Sequence, residues 1–224
     1  MRLLAVETST LAGGVALLDG DRLVGEYLLD VRITHSERIM AAIDRVLVDA
    51  GWTIDDLEAL AVAIGPGSFT GLRIGLGTVK GLAFGRSLPV APVPTLDAMA
   101  AGLPFAALAV CPVIDARKDE VYVSRYRWDG VAMRREWDYL AMSPAALADR
   151  LDEPVILVGD AARSIVSPFA RVAPVGRRLP SPACVGQLGL ERLARGESTD
   201  AADLVPMYLR PSQAELKRRG LTVA

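Results

Sequence analysis

Residues 64–86, IGPGSFTGLRIGLGTVKGLAFGR, restrict what this chain can become more than any other stretch. An apolar run over residues 60–64 feeds a tight Gly65-Pro66-Gly67 turn. Residues 68–86 have few β-branched side chains and no internal proline. The pattern predicts a strand, a turn and then a helix over residues 70–86. Gly71, Gly75, Gly81 and Gly85, with Thr78 among them, share roughly one third of that helix's circumference. An interior glycine costs about 1 kcal/mol against alanine. A whole face of them needs compensation, and close approach of another backbone supplies it. A second stripe, Leu72, Leu76, Val79 and Ala83, offers ordinary core packing. The helix is therefore expected to lie wedged between its own sheet and another helix.

The rest of the chain arranges itself around this unit. Residues 3–6 read as a buried strand that ends in Glu7-Thr8-Ser9-Thr10. Residues 14–18 and 22–29 form a hairpin about Asp19-Gly20. Thr34 and Glu37 have capping-box spacing at a helix start. Ile39, Ile43, Val46 and Ala50 make that helix's apolar face, Met40 and Leu47 flank it, and Gly51 ends it. Strands come next at 57–64 and 90–93, then a short helix at 96–102.

From Pro104 the order starts again. A strand at 107–114 and a charged turn at 115–120 precede strands at 121–128 and 131–137. Ser143 caps a helix, a strand at 155–158 ends at Gly159-Asp160, and an edge strand at 171–173 leads to a helix at 183–194. The repeated β-β-β-α order predicts an internally duplicated α/β fold. Its expected domains are residues 1–103 and 104–205, with a C-terminal extension over 206–224.

Composition narrows the function classes. The 224 residues are 51% apolar and 23% charged, with a net charge of -2. Without a basic excess the chain is not expected to hold nucleic acid alone. Cys111 and Cys184 sit in apolar surroundings and read as free thiols in a reducing compartment. There is neither a signal-like N-terminus nor an apolar run long enough to span a membrane, so a cytoplasmic location is expected. His35 is the only histidine, which excludes a His-ligated zinc site and a Ser-His-Asp triad. It is expected as a helix cap or surface residue.

Several clusters carry two readings. Gly65, Pro66, Gly67 and Ser68 open either a plain tight turn or a phosphate cradle at a helix N-terminus. The segment matches neither the P-loop nor the dinucleotide fingerprint. Thr8, Ser9 and Thr10, beside Glu7, either contact phosphate or metal or satisfy their own backbone. Asp115, Arg117, Asp119 and Glu120 make a solvated hairpin, or a metal or sugar contact. Lys217-Arg218-Arg219 form a solubilising tail, or touch RNA phosphates.

The combination is more specific than its parts. LAVETST, THSE, AVAIGPGSFTGLRIGLGTVKGLAF, DARKDEVYVSRY, LVGDAA and PMYLRPSQAE occur in this order. Together they closely resemble the TsaB (YeaZ) family, from residue 4 to about residue 215. That family is a bacterial subunit of the machinery making threonylcarbamoyladenosine beside the tRNA anticodon. GPGSFTGLRIG is shared with its paralogue TsaD, and THSE and YLRPSxAE tip the choice toward TsaB.

The resemblance implies a two-lobed actin-like (ASKHA, ribonuclease H-like) fold. It implies a noncatalytic scaffold and activator rather than an enzyme acting by itself, with no catalytic residues and no metal site. TsaD carries a metal-holding histidine pair that this chain lacks. The LVGDAA segment is reduced beside the nucleotide loop of active relatives, so Thr8 to Thr10 and Gly65 to Ser68 become vestigial nucleotide loops. No cofactor is then bound tightly by this chain, and ATP is used by the complex. The implied partners are a TsaD-type paralogue, a TsaE-type ATPase, a second copy when alone, and tRNA only through the complex. The implied contact surface is Ile39, Met40 and Ile43 with Gly71, Gly75, Thr78 and Gly81. The competing expectations are a nucleotide-dependent transferase or phosphotransferase active alone, and a metallopeptidase.

Overall fold

The computed structural model describes residues 1–31 and 35–209. In the first lobe β1 (Arg2–Glu7), β2 (Ala12–Asp19) and β3 (Arg22–Asp30) form an antiparallel meander. After α1 (His35–Ala50), β4 (Ala59–Gly65), α2 (Phe69–Ala83) and β5 (Val90–Pro94) complete a sheet of order β3-β2-β1-β4-β5. β1, β4 and β5 run parallel. They read as continuous apolar runs because helices cover both faces of the sheet. α1 and α2 cover one face, over Leu4, Val6, Val15, Leu17, Leu60 and Val62.

A short α3 (Thr95–Ala101) leads into the second lobe. That lobe contains β6 (Ala109–Arg117), β7 (Glu120–Val123), β8 (Tyr126–Trp128), β9 (Met133–Arg135), β10 (Leu140–Met142), α4 (Pro144–Arg150), β11 (Val155–Val158) and β12 (Ala170–Val172). Its main path is β10-β7-β6-β11-β12. The first three strands are antiparallel and the last three parallel. Order and direction repeat the first lobe strand for strand, so the expected duplication exists in topology. The element corresponding to α2 is cut down to one 3-10 turn, Ala162–Ser164.

Three expectations need correction. The strand expected at 121–128 is two strands, because the chain turns away at Ser124-Arg125. There the Ser124 hydroxyl donates to the Trp137 carbonyl at 2.7 Å. The third strand of the repeat is therefore β10, and residues 133–135 pair with β8 in an inserted hairpin.

The domain boundary also moves. α5 (Pro182–Ala194) packs on the back of the first sheet, with Val185 buried against Leu3, Ala5, Ala16, Ala61 and Ala91. Glu26 of β3 holds its start by accepting from Ser181 Oγ at 2.6 Å and Ala183 N at 3.0 Å. The chain after α5 stays there: Leu204 enters the first core, and Met207 N donates to the Ile64 carbonyl at 2.7 Å. The first lobe is thus residues 1–102 with 181–208, and the second is 103–180. The alanine-lined back face needs helices to cover it, and α5 does so together with Ala98 of α3.

The third correction is at α2, which ends at Ala83 rather than residue 86. Gly85 sits at φ 74, a helix-terminating conformation suited to glycine. Leu96, Met99 and Ala100 of α3 share one core with Val110, Ile114, Tyr126 and Val158, which joins the lobes. The Thr34 cap and the 214–219 tail lie outside the described residues. Among those described, no helix is long and apolar enough to cross a membrane.

Candidate functional site

The loop after β1 and the turn after β4 meet at the carboxyl ends of their strands. Thr8, Ser9 and Thr10 are all buried. Thr8 Oγ1 donates to the Gly71 carbonyl at 2.8 Å, and Ser68 N donates to the Ser9 carbonyl at 2.6 Å. Thr10 Oγ1 donates to the Ala12 carbonyl at 3.0 Å. Ser68 Oγ caps α2 by accepting from Gly71 N at 3.3 Å. The two candidate phosphate loops are therefore stitched to each other.

Missing β-carbons permit this contact. A Cβ on Gly67, Gly71 or Gly75 would stand closer than 3.0 Å to Ser9 O, Thr8 O or Thr8 Oγ1. Real Cβ atoms do not come that close, so the loop and the helix fit only because these positions are glycine. The Thr8 carbonyl compensates Gly71 and the Thr8 side chain compensates Gly75, both from the β1–β2 loop of the same chain. This corrects the expectation that these two glycines face another helix.

Glu7 and His35 brace the loop from below. Burial pushes the Glu7 carboxyl up to about 7, against hydrogen bonding from Ser9. Glu7 Oε1 accepts from Ser9 N at 2.5 Å, while Glu7 Oε2 and Ser9 Oγ are buried with no hydrogen-bond partner among the described residues. His35 is buried rather than exposed, because it fills the space left open at Gly13 and packs beside Gly71. Its Nε2 lies 2.7 Å from the Thr10 carbonyl, an acceptor only, so Nε2 carries the proton. Nδ1 is then free to accept from Arg38 Nη2 at 3.2 Å. Burial lowers the His35 pKa, the Thr10 contact opposes that, and Arg38 adds to it.

The outer half of α2 is different. Gly77 and Gly81 have open space where a Cβ would be, and Thr78 lies at the boundary between the two halves. Phe84 is 85% exposed, and on α1 Met40 is 53% and Val48 64% exposed. Ile39 and Ile43 are in the first core, so they are not available as knobs for a partner. The reason is rotational: α1 turns its isoleucines onto the sheet and leaves Met40 outside. The glycine periodicity does not single out Val48, Gly77 or Phe84. A helical wheel drawn from the core stripe rather than from the glycines finds Gly77.

The segment before residue 209 borders α2. Tyr208 stacks on Phe69 with ring centroids 5.0 Å apart, and its hydroxyl accepts from Arg73 Nε at 3.1 Å. Lys80 Nζ donates to the Ala202 carbonyl at 3.1 Å. In the second lobe Asp115 accepts from Arg117 N at 2.8 Å, and Asp160 accepts from Asp115 N at 3.0 Å. The charged turn thus closes on itself. Burial raises the Asp160 pKa. Among the described residues no three His, Cys, Asp or Glu side chains gather as a metal site.

Comparison with known proteins agrees with this geometry. A family model for TsaD, tRNA N6-adenosine threonylcarbamoyltransferase, matches residues 30–153. The tRNA threonylcarbamoyladenosine biosynthesis protein TsaB of Bacillus subtilis is 31% identical over 228 residues, covering 97% of each chain. YeaZ from Pseudomonas aeruginosa superposes with a TM-score of 0.80 at 32% identity, covering 93% of this chain and 99% of that one. An activator of 2-hydroxyisocaproyl-CoA dehydratase from Clostridium difficile reaches a TM-score of 0.51 at 9% identity, covering 93% and 100%. That last likeness is one of fold alone, and with the duplicated sheets it makes the architecture actin-like. End-to-end similarity, a shared fold and the glycine-fitted loops together place this chain in the TsaB (YeaZ) family of tRNA threonylcarbamoyladenosine biosynthesis proteins.

Proposed function

We propose that this protein is a noncatalytic scaffold and activator that binds a TsaD-type paralogue through the solvent faces of α1 and α2. The observation carrying this reading is the division of α2. Its inner glycines are filled by Thr8, whereas Gly77 and Gly81 meet open space, and Phe84 just past α2 and Met40 and Val48 on α1 are exposed. Bare backbone lets a second helix pack closely. Each large apolar side chain gains about 1.5–3 kcal/mol on full burial. The contact surface is then Met40, Val48, Ile74, Gly77, Thr78, Gly81 and Phe84, with Ile39 and Ile43 holding α1 in place from beneath.

The same face serves a second copy of the chain when the paralogue is absent. The loops that could hold nucleotide are buried and bonded to each other, so ATP is spent elsewhere in the complex, by a TsaE-type ATPase. tRNA is met through the assembly, in the cytoplasm. A subunit that only binds raises the rate by favouring the partner's competent conformer, limited by its differential affinity for the two conformers.

The test is reconstitution with the paralogue, the ATPase, the adenylate-forming enzyme and tRNA, omitting one component at a time. This chain alone should give no transfer, and the paralogue without it little or none. Folded Gly81→Arg or Met40→Asp protein should fail to co-elute with the paralogue on a sizing column. Undiminished complex would remove the interface, and full-rate transfer by the paralogue alone would remove the activator role. Micromolar ATP binding by the isolated chain, read by calorimetry, would favour a nucleotide-dependent transferase instead.

A further inference from the structure

One stretch of the second lobe carries four arginines and no carboxylate. Between residues 161 and 190 stand Arg163, Arg171, Arg177 and Arg178 with no aspartate or glutamate, in a chain whose net charge is -2. The fold gathers them. β11 and β12 run parallel, so the turn after β11 (Ala162–Ser164) and the turn after β12 (Val175–Arg177) lie at the same end of the sheet. Arg163 and Arg177 therefore stand at the same end of the sheet, with Arg178 next in chain. Arg171 stands in the middle of β12, which closes the sheet and pairs only with β11.

None of the four forms an ion pair among the described residues. Elsewhere ten described arginines, among them Arg2, Arg125 and Arg195, pair with a carboxylate, and Arg38, Arg73, Arg135 and Arg150, which form no ion pair among the described residues, lie against His35, Tyr208, Tyr139 and Trp137. Arg171 Nη1 is occupied only by the Pro168 and Ala170 carbonyls, at 2.8 and 3.1 Å. Arg178 Nε is buried with no hydrogen-bond partner among the described residues. Arg163, Arg171 and Arg177 are exposed.

We propose that this arginine edge, formed by β12 and its two flanking turns, binds the sugar-phosphate backbone of the tRNA that the complex modifies. Uncompensated guanidinium groups clustered on one edge fit a polyanion, because each can offer a forked pair of donors to one phosphate. The edge has no exposed aromatic ring for base stacking, so the contact reads backbone rather than sequence. It sits on the lobe opposite α1 and α2, which leaves it open when the partner face is covered. The proposal rests on the scaffold reading only for the complex in which it is tested.

The experiment measures tRNA affinity against salt for the reconstituted complex and for the isolated chain at low salt. It compares wild type with Arg163→Gln/Arg171→Gln/Arg177→Gln. Each phosphate contact contributes about 0.7–0.9 to the slope of log affinity on log salt. The triple variant should lower that slope by about 2 and weaken binding roughly a hundredfold near 0.1 M salt. It should still co-elute with the paralogue, which separates failure here from failure of the scaffold reading. An unchanged slope and affinity in the complex overturns the proposal. So does unchanged tRNA binding with lost retention of a protein component, which would reassign the edge, with its exposed Val166 and Val175, to an acidic protein segment.

Discussion

Thr8 Oγ1 occupies the space where a side chain on Gly75 would stand, and the same hydroxyl donates to the Gly71 carbonyl at 2.8 Å. One threonine therefore explains two glycines of a helix that would otherwise be weakened by them. It also ties the first strand's loop to the helix whose far side is open.

Gly75→Ala should destabilise the protein by about 1–3 kcal/mol, because the added methyl overpacks a fixed loop. Gly81→Ala, further along the helix and facing open space, should instead stabilise by about 0.5–1 kcal/mol through helix propensity. Urea denaturation of the two variants reads the difference directly. Combining Gly75→Ala with Thr8→Ala should recover part of the loss, and strict additivity would mean that the two positions are not in contact.

Neighbouring residues of α1 should behave as opposites. Ile39 lies in the first core, so Ile39→Ala should cost about 2–5 kcal/mol. Met40 is 53% exposed, so Met40→Ala should change stability by less than about 0.5 kcal/mol. Its effect should appear instead in binding to the paralogue. Equal losses of stability would mean that α1 is rotated from the orientation described.

Glu7 should make the protein less stable as pH rises. Its carboxyl is raised from 4.5 to about 7 by burial, so the folded state holds the proton more tightly than the unfolded chain. The resulting stabilisation is full below about pH 4.5 and is lost as pH climbs through 7, by roughly 3 kcal/mol in all. His35 acts in the other direction. Its pKa is lowered from 6.5, so its contribution is present above pH 6.5 and fades as pH falls. Glu7→Gln keeps an oxygen for Ser9 N and removes the ionisation. It should flatten the decline between pH 5 and 8 while the His35 dependence persists. A decline of unchanged steepness in Glu7→Gln would count against the buried carboxyl as its source.

Asp97 holds the lobes together from α3. Its Oδ1 accepts from Tyr126 Oη at 2.6 Å and from Tyr139 Oη at 2.8 Å. Both tyrosine hydroxyls are consequently harder to ionise, chiefly through burial and then through the carboxylate beside them. Asp97→Ala leaves both hydroxyls without their acceptor and should cost about 2–4 kcal/mol. Tyr139→Phe removes one bond from a less buried site and should cost about 0.5–1.5 kcal/mol. Chemical denaturation followed by near-UV circular dichroism measures both, and equal losses would mean that the two hydroxyls are not shared on one oxygen.

Much of this architecture is written in local signals. Asp19-Gly20 predicts the first hairpin, Ser143 and Ser181 cap their helices, and the apolar period places Leu72, Leu76 and Val79 in the core. The element order anticipates the duplication, and the motif from Gly65 to Gly75 carries the family. The second lobe is harder to read. Its strands are mostly three or four residues long, and a run of that length can leave one sheet for another at a single polar position such as Ser124.

Local chemistry could say that the glycine-rich helix must have something pressed against it, because bare backbone in a helix is costly unless it is covered. It could not say what, since a 3.6-residue period gives the angle of a residue about its axis and nothing about the neighbour at that angle. Folding brought Thr8, more than sixty positions earlier, onto Gly71 and Gly75, and left Gly77 and Gly81 to the solvent. It likewise sent α5 back across the lobe boundary to the alanine-lined face of the first sheet. Both outcomes depend on which surfaces remain uncovered once every element is in place, a property of the assembled whole.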